Sequence, residues 1–162
     1  MIELGFVIKG YPGSGRKIEA EPDLDLVSSP DLVQGAFMGD AVFKVGAVDF
    51  STKFGWVTLL DWCLRLTVSL DDLATKDSRR FEFSESDDFV SFERRQGDLL
   101  ISCSYDLAVA AVGYGELKSA VRDFVDDRLK WIEREFPAAM RNQAMPDVFS
   151  RLHRPFPPLR EE

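Results

Sequence analysis

Histidine is nearly absent from this chain. His153 is the only one in 162 residues, and cysteine occurs twice, at Cys63 and Cys103. Three such side chains cannot complete a four-ligand structural zinc site of Cys and His alone. A Ser-His-Asp or Cys-His centre would have to recruit His153, which stands in Arg151-Leu152-His153-Arg154-Pro155 and reads as a surface histidine of a proline-rich end. Each cysteine sits in an apolar segment and reads as a buried free thiol, since a disulfide belongs to secreted chains. No run of about 18 apolar residues occurs, so no membrane span is expected. Met1-Ile2-Glu3-Leu4 lacks the basic start and apolar stretch of a signal peptide, so a cytoplasmic location is expected. Basic residues are the minority, 20 against 28 acids, a net charge of −8. An acidic chain repels phosphate backbones, which argues against a nucleic-acid partner.

What is present is a core. The chain is 45% hydrophobic and 30% charged, enough to bury one globular domain. Ile2, Leu4, Phe6 and Ile8 alternate, a strand signal. Residues 16 to 20 are expected to return as a hairpin partner with Ile18 and Ala20 inward, residues 21 to 31 to be loop, and residues 32 to 37 to form a short strand. Residues 41 to 50, rich in Val and Phe, predict a clearer strand. Residues 56 to 73 satisfy both periods: the apolar positions 60 to 70 alternate, yet Leu60, Cys63 and Leu64 also share a helical face. The length favours helix. Segments 79–84, 89–94, 99–105 and 107–114 predict a meander of short strands. Residues 116 to 136 predict the longest helix, with Leu117, Ala120, Val121, Phe124, Val125, Leu129, Trp131, Ile132 and Phe136 on one side, ended by Pro137. Arg128 falls within the apolar arc and is expected to snorkel.

Several motifs come close to chemistry. Gly10-Tyr11-Pro12-Gly13-Ser14-Gly15-Arg16-Lys17 approaches a phosphate-binding loop, but Arg16 holds the lysine position and Lys17 the hydroxyl position, and Pro22 interrupts the helix such a loop must open. Asp98 or Asp106 with Glu116 and Lys118 loosely fits a metal-dependent nuclease set, yet Glu116 and Lys118 stand two apart on a helix and face different ways. The paired acids Asp71-Asp72, Asp87-Asp88 and Asp126-Asp127 read as solubilising surface. Pro155-Phe156-Pro157-Pro158 has polyproline-II spacing at the end of an extended tail.

The stretches Gly55-Trp56-Val57-Thr58-Leu59-Leu60-Asp61-Trp62, Phe81-Glu82-Phe83-Ser84-Glu85 and Asp88-Phe89-Val90-Ser91-Phe92, with the 116–136 helix stopped by Pro137, resemble small uncharacterised actinobacterial proteins. Some proteins of this size and layout are immunity proteins of bacterial toxin systems. The resemblance covers residues 50 to 140 loosely; its motifs are structural and imply no site residues.

The expected fold is α+β, an antiparallel meander sheet with two main helices packed on one face, formed by residues 1–136 and followed by a Pro-rich tail, 137–162, that packs on the domain through Val148, Phe149 and Leu152 or extends from it. Two functions fit it. The first is a non-enzymatic interaction protein, immunity- or antitoxin-like, that binds a basic protein partner. Residues 1–136 hold 16 of the 20 basic and 25 of the 28 acidic residues, hence −9, so the acidity belongs to the body. The candidate partner patch is Glu85, Asp87 and Asp88 on one turn with Asp123, Asp126 and Asp127 on the last helix. The second is a small enzyme or ligand binder that uses a carboxylate pair in a sheet–helix pocket. The sequence assigns no cofactor, no metal and no catalytic residue.

Overall fold

The computed structural model describes residues 1–9, 17–84 and 86–159. Strand β1 (Ile2–Ile8) pairs antiparallel with β2 (Met38–Val45), Ile2 opposite Val45 and Ile8 opposite Gly39. The short strands β3 (Val48–Asp49) and β4 (Val57–Thr58) both pair with β2 and complete the first sheet. Gly39 is required there, because a Cβ at that position would lie 1.9 Å from the carbonyl oxygen of Val7. A second sheet is the meander β5 (Ser78–Glu82), β6 (Phe89–Arg95), β7 (Asp98–Cys103) and β8 (Asp106–Gly113), in that order. The fold is α+β with antiparallel sheets, and its strands divide between two sheets where the sequence suggested one.

Helix wins the ambiguous segment: α2 spans Leu59–Leu73 and buries Leu60, Cys63 and Leu64. Alternation within it fails as a strand signal because both neighbours in the pattern are buried. Trp62, Leu66 and Leu70 face inward as well, since α2 lies between α1, α3, β2 and β5. Its last carbonyls are capped from outside: Arg94 Nη2 donates to Leu73 O at 2.6 Å and the Tyr114 hydroxyl to Leu70 O at 3.0 Å. Helix α3 (Tyr114–Glu135) follows β8 directly and lies against β1 and α2; six of the nine expected positions are buried, while Ala120, Trp131 and Phe136 are half-buried. Arg128 behaves as expected of a snorkelling side chain: its guanidinium reaches Asp127 and lies 5.7 Å from the centre of the Trp131 ring.

Two local expectations are corrected. Residues 32–37 are not a strand; α1 occupies Ser29–Gln34. The Ser28 hydroxyl accepts the Asp31 N–H at 3.2 Å, and Pro30 lies in the first turn, where its missing N–H costs no helical bond. Residues 18–20 form a 3-10 turn, not a strand: Ile18 packs against the core as expected, but Ala20 is exposed and Glu19 is buried. The cause is a buried hydrogen bond from the Phe37 N–H to Glu19 Oε2 at 3.0 Å. The near phosphate-loop segment 10–16 lies outside the described residues.

The C-terminal segment is part of the core. The short helices α4 (Pro137–Met140) and α5 (Met145–Arg151) bury Met140, Met145, Val148 and Phe149, and Leu152 joins them. Asn142 is 1% exposed and donates to Leu24 O and Val27 O at 3.0 and 2.9 Å. It thus ties the chain's end to the loop before α1.

Candidate functional site

A cleft opens where the two sheets meet at the start of α2. Gln34 of α1, Trp56, Val57 and Thr58 leading into α2, Asp61 in its first turn, and Phe83 and Ser84 after β5 line it. Local chemistry shapes this corner. Asp40 on β2 is buried, and its Oδ1 accepts both the Thr52 hydroxyl and the Gly55 N–H at 2.9 Å, while Lys9 Nζ lies 2.7 Å from Oδ2. Burial alone would raise the Asp40 pKa, but Lys9, the Gly55 amide and the Thr52 hydroxyl outweigh it and hold the carboxyl below its ordinary 3.8. The carboxylate therefore pins residues 52–55, with Gly55 at φ +79°. That loop presents Phe54 and Trp56 as a half-buried stacked pair, 4.9 Å between centres and 14° between planes. Phe83 and Tyr105 meet Phe54 edge-on from the second sheet.

The polar side of the cleft is a small network. Ser84 Oγ donates to Asp61 Oδ2 at 3.2 Å, and Arg65 on the next turn of α2 reaches Asp61 at 3.4 Å and Ser84 Oγ at 3.3 Å. Among the described residues Asp61 is the one carboxylate in this lining, so no pair of described carboxylates stands here. The empty space is about 250 Å³, open to solvent. That space includes open solvent, so the cleft is shallow and suits the end of one side chain.

The thiols and the histidine are engaged elsewhere. Burial pushes the Cys63 thiol up to about 12 and raises that of Cys103, so neither is a thiolate near neutrality. His153 Nε2 lies 2.7 Å from Asp71 Oδ2, and among the described residues no serine, threonine or cysteine side chain bonds the ring.

The partner-patch acids fall into two groups that no described hydrogen bond or ion pair joins. Asp87 is exposed on the turn between β5 and β6, and Glu85 lies outside the described residues. Asp88 is half-buried and structural: it accepts from Ser104 Oγ at 2.9 Å and from Ser86 Oγ at 3.1 Å, knitting two hairpin ends together. On α3, Asp123 and Asp127 are 71% and 68% exposed and, among the described residues, pair only with the adjacent Arg122 and Arg128. Asp126 is the exception, paired with Arg154 of the C-terminal segment.

The cleft was missed from sequence. Its one legible signal is the Phe54-Gly55-Trp56 run, two aromatics about a glycine just ahead of a helix. The residue that positions them, Asp40, lies 15 positions upstream of Gly55. Among the described residues no helix is long and apolar enough to cross a membrane, and no three His, Cys, Asp or Glu side chains form a group able to hold a metal ion. Compared with family models, curated proteins and solved structures, the chain matches none.

Proposed function

We propose that this chain is a non-enzymatic, cytoplasmic interaction protein, immunity- or antitoxin-like, that binds one basic protein partner through its acidic surface. The observation that supports this best is that Asp87, Asp123 and Asp127 are exposed carboxylates with little structural duty, on a chain of net charge −8. Exposed pairs with sequence neighbours are worth little, so these charges remain available for steering. The aromatic pair Phe54–Trp56 beside Asp61 supplies the apolar anchor and polar rim that interfaces favour. The small cleft and the buried, protonated thiols favour this reading over a ligand-binding or enzymatic one.

The test is surface-based binding kinetics against the product of the adjacent gene, at two ionic strengths. The expected result is association that slows with salt. Reversing Asp87, Asp123 and Asp127 to Lys is expected to slow it about tenfold at low salt and to change dissociation less. Asp88 and Asp126 are left intact because both brace the fold. An association rate indifferent to salt and to the reversals overturns the reading.

A further inference from the structure

The cleft at the start of α2 admits the end of one side chain, and its walls select the kind. One wall is a flat aromatic ring. Phe54 stacks on Trp56, and Phe83 stands edge-on to it at 6.3 Å and 84°, so the indole that lines the cleft is held in place. The Asp40 carboxylate pins residues 52–55 and so fixes the loop that leads into this ring. The polar side offers acceptors: the Asp61 carboxylate, the Ser84 hydroxyl and the Gln34 amide oxygen. Among the described lining residues there is no cation.

Asp61 is the decisive group. It is only 14% exposed, yet its bonds are long. Arg65 Nε lies 3.4 Å from both oxygens and Ser84 Oγ 3.2 Å from one. Well-formed charge-assisted bonds measure about 2.5–2.9 Å. A carboxylate accepts about four hydrogen bonds, so Asp61 keeps room for a further donor. Arg65 bonds it without lining the cleft, which leaves the cleft side open.

An apolar side chain would cover Asp61 without replacing its water. An acidic one would meet its charge. A lysine ammonium is compact and strongly hydrated and makes little use of a flat ring. A guanidinium is planar, weakly hydrated and a fork of donors, so it can lie on an indole and bond a carboxylate at once. We infer that the cleft takes the guanidinium of one arginine of the partner, stacked on Trp56 and bonded to Asp61. The source of that arginine rests on the partner reading above: the exposed acids draw a basic protein in, and the cleft holds it. The two surfaces thereby divide the kinetics, the exposed acids setting association and the desolvated pair dissociation.

Two-dimensional NMR of the full chain with N-acetyl-arginine amide, read at the indole N–H signals of the three tryptophans, tests the cleft. The Trp56 signal is expected to shift saturably, half-complete at about 1–10 mM, with buried Trp62 and Trp131 of α3 unmoved. N-acetyl-lysine amide is expected to bind at least about threefold more weakly. Asp61→Asn is expected to weaken the arginine probe at least about tenfold. Trp56→Leu, read at the Ser84 amide, is expected to do the same and decides if Asp61→Asn does not fold. Against the product of the adjacent gene, Asp61→Asn is expected to speed dissociation about tenfold with little change in association, the converse of the Asp87, Asp123 and Asp127 reversal. A complex whose association slows with salt but whose dissociation ignores Asp61→Asn overturns the cleft assignment and leaves the partner reading standing. No complex at all overturns the partner reading, and the probe alone then decides the cleft. A Trp56 signal that does not shift saturably overturns the inference, as does arginine binding no tighter than lysine or unchanged by both variants.

Discussion

At the scale of single residues, the informative positions break a local rule. Asp40 is a buried acid in a strand, tolerated because Lys9, Thr52 and Gly55 satisfy it. Its pKa is depressed in the folded chain, so the stability it contributes is present above the ordinary 3.8 and is lost as pH falls through the lower folded value. Asp40→Asn is therefore expected to destabilise the protein by about 1–3 kcal/mol at pH 7. Urea denaturation from pH 7 to 2.5 should show that gap shrinking below about pH 4; a gap constant with pH would contradict the assignment. Gln96 breaks a different rule. It takes φ +51° beside Gly97 at +93°, two successive left-handed residues in the two-residue turn between β6 and β7. Asn tolerates that conformation better than Gln. Gln96→Asn is expected to raise stability by about 0.5–1 kcal/mol, read as a higher melting temperature. His153, at φ +58°, occupies the position after α5 where glycine is common, closing the helix with His153 N–H to Ser150 O and Arg154 N–H to Phe149 O. Its ring meets Asp71 from there.

At the scale of elements, period and length served well where one face is buried and poorly where two are. The α3 stripe was legible because its outer side is solvated, so polar and apolar positions separate at 3.6 spacing. Phe124 lies on the buried side, and Phe124→Ala is expected to cost about 3–5 kcal/mol through the cavity it leaves. From sequence Asp126 is one more polar-face acid of negligible cost, but the structure pairs it with Arg154, which also caps carbonyls of Leu152 and His153. Asp126→Ala is therefore expected to cost about 1 kcal/mol, more than Asp123→Ala on the same helix. Equal thermal shifts for Asp126→Ala and Asp123→Ala would show that the Arg154 contact contributes nothing. The misread elements, α1 and the 18–20 turn, are short. Two prolines and several acids near residues 22–31 resemble a loop, and only the Ser28 cap with Pro30 in the first turn shows a helix start.

At the scale of the whole molecule, the C-terminal segment closes the core. Asn142 joins residues more than a hundred positions away, and its loss leaves the buried Leu24 carbonyl and the half-buried Val27 carbonyl without that donor. Asn142→Ala is expected to cost about 1–3 kcal/mol, measured by chemical denaturation, and to expose the 137–152 segment to proteolysis first. Retained protease resistance would place the hold of this segment in Val148, Phe149 and Leu152 instead.

Periodicity settled the α+β class, the meander from β5 to β8 and α3, because each pattern reports which side of an element meets water, and segment length settled α2, where both periods fit. Composition alone settled the acidity and the scarcity of histidine and cysteine. Only the tertiary structure decided that the strands form two sheets and that, of the two courses open to the C-terminal segment, residues 137–152 join the core. It also decided that Asp40 pins the Phe54–Trp56 loop, and that Asp88 and Asp126 are braces while Asp87, Asp123 and Asp127 face solvent. The reason is physical. A residue's period is set by its nearest neighbours along the chain, whereas a buried carboxylate, a capping arginine or a sheet boundary depends on partners brought close only by folding.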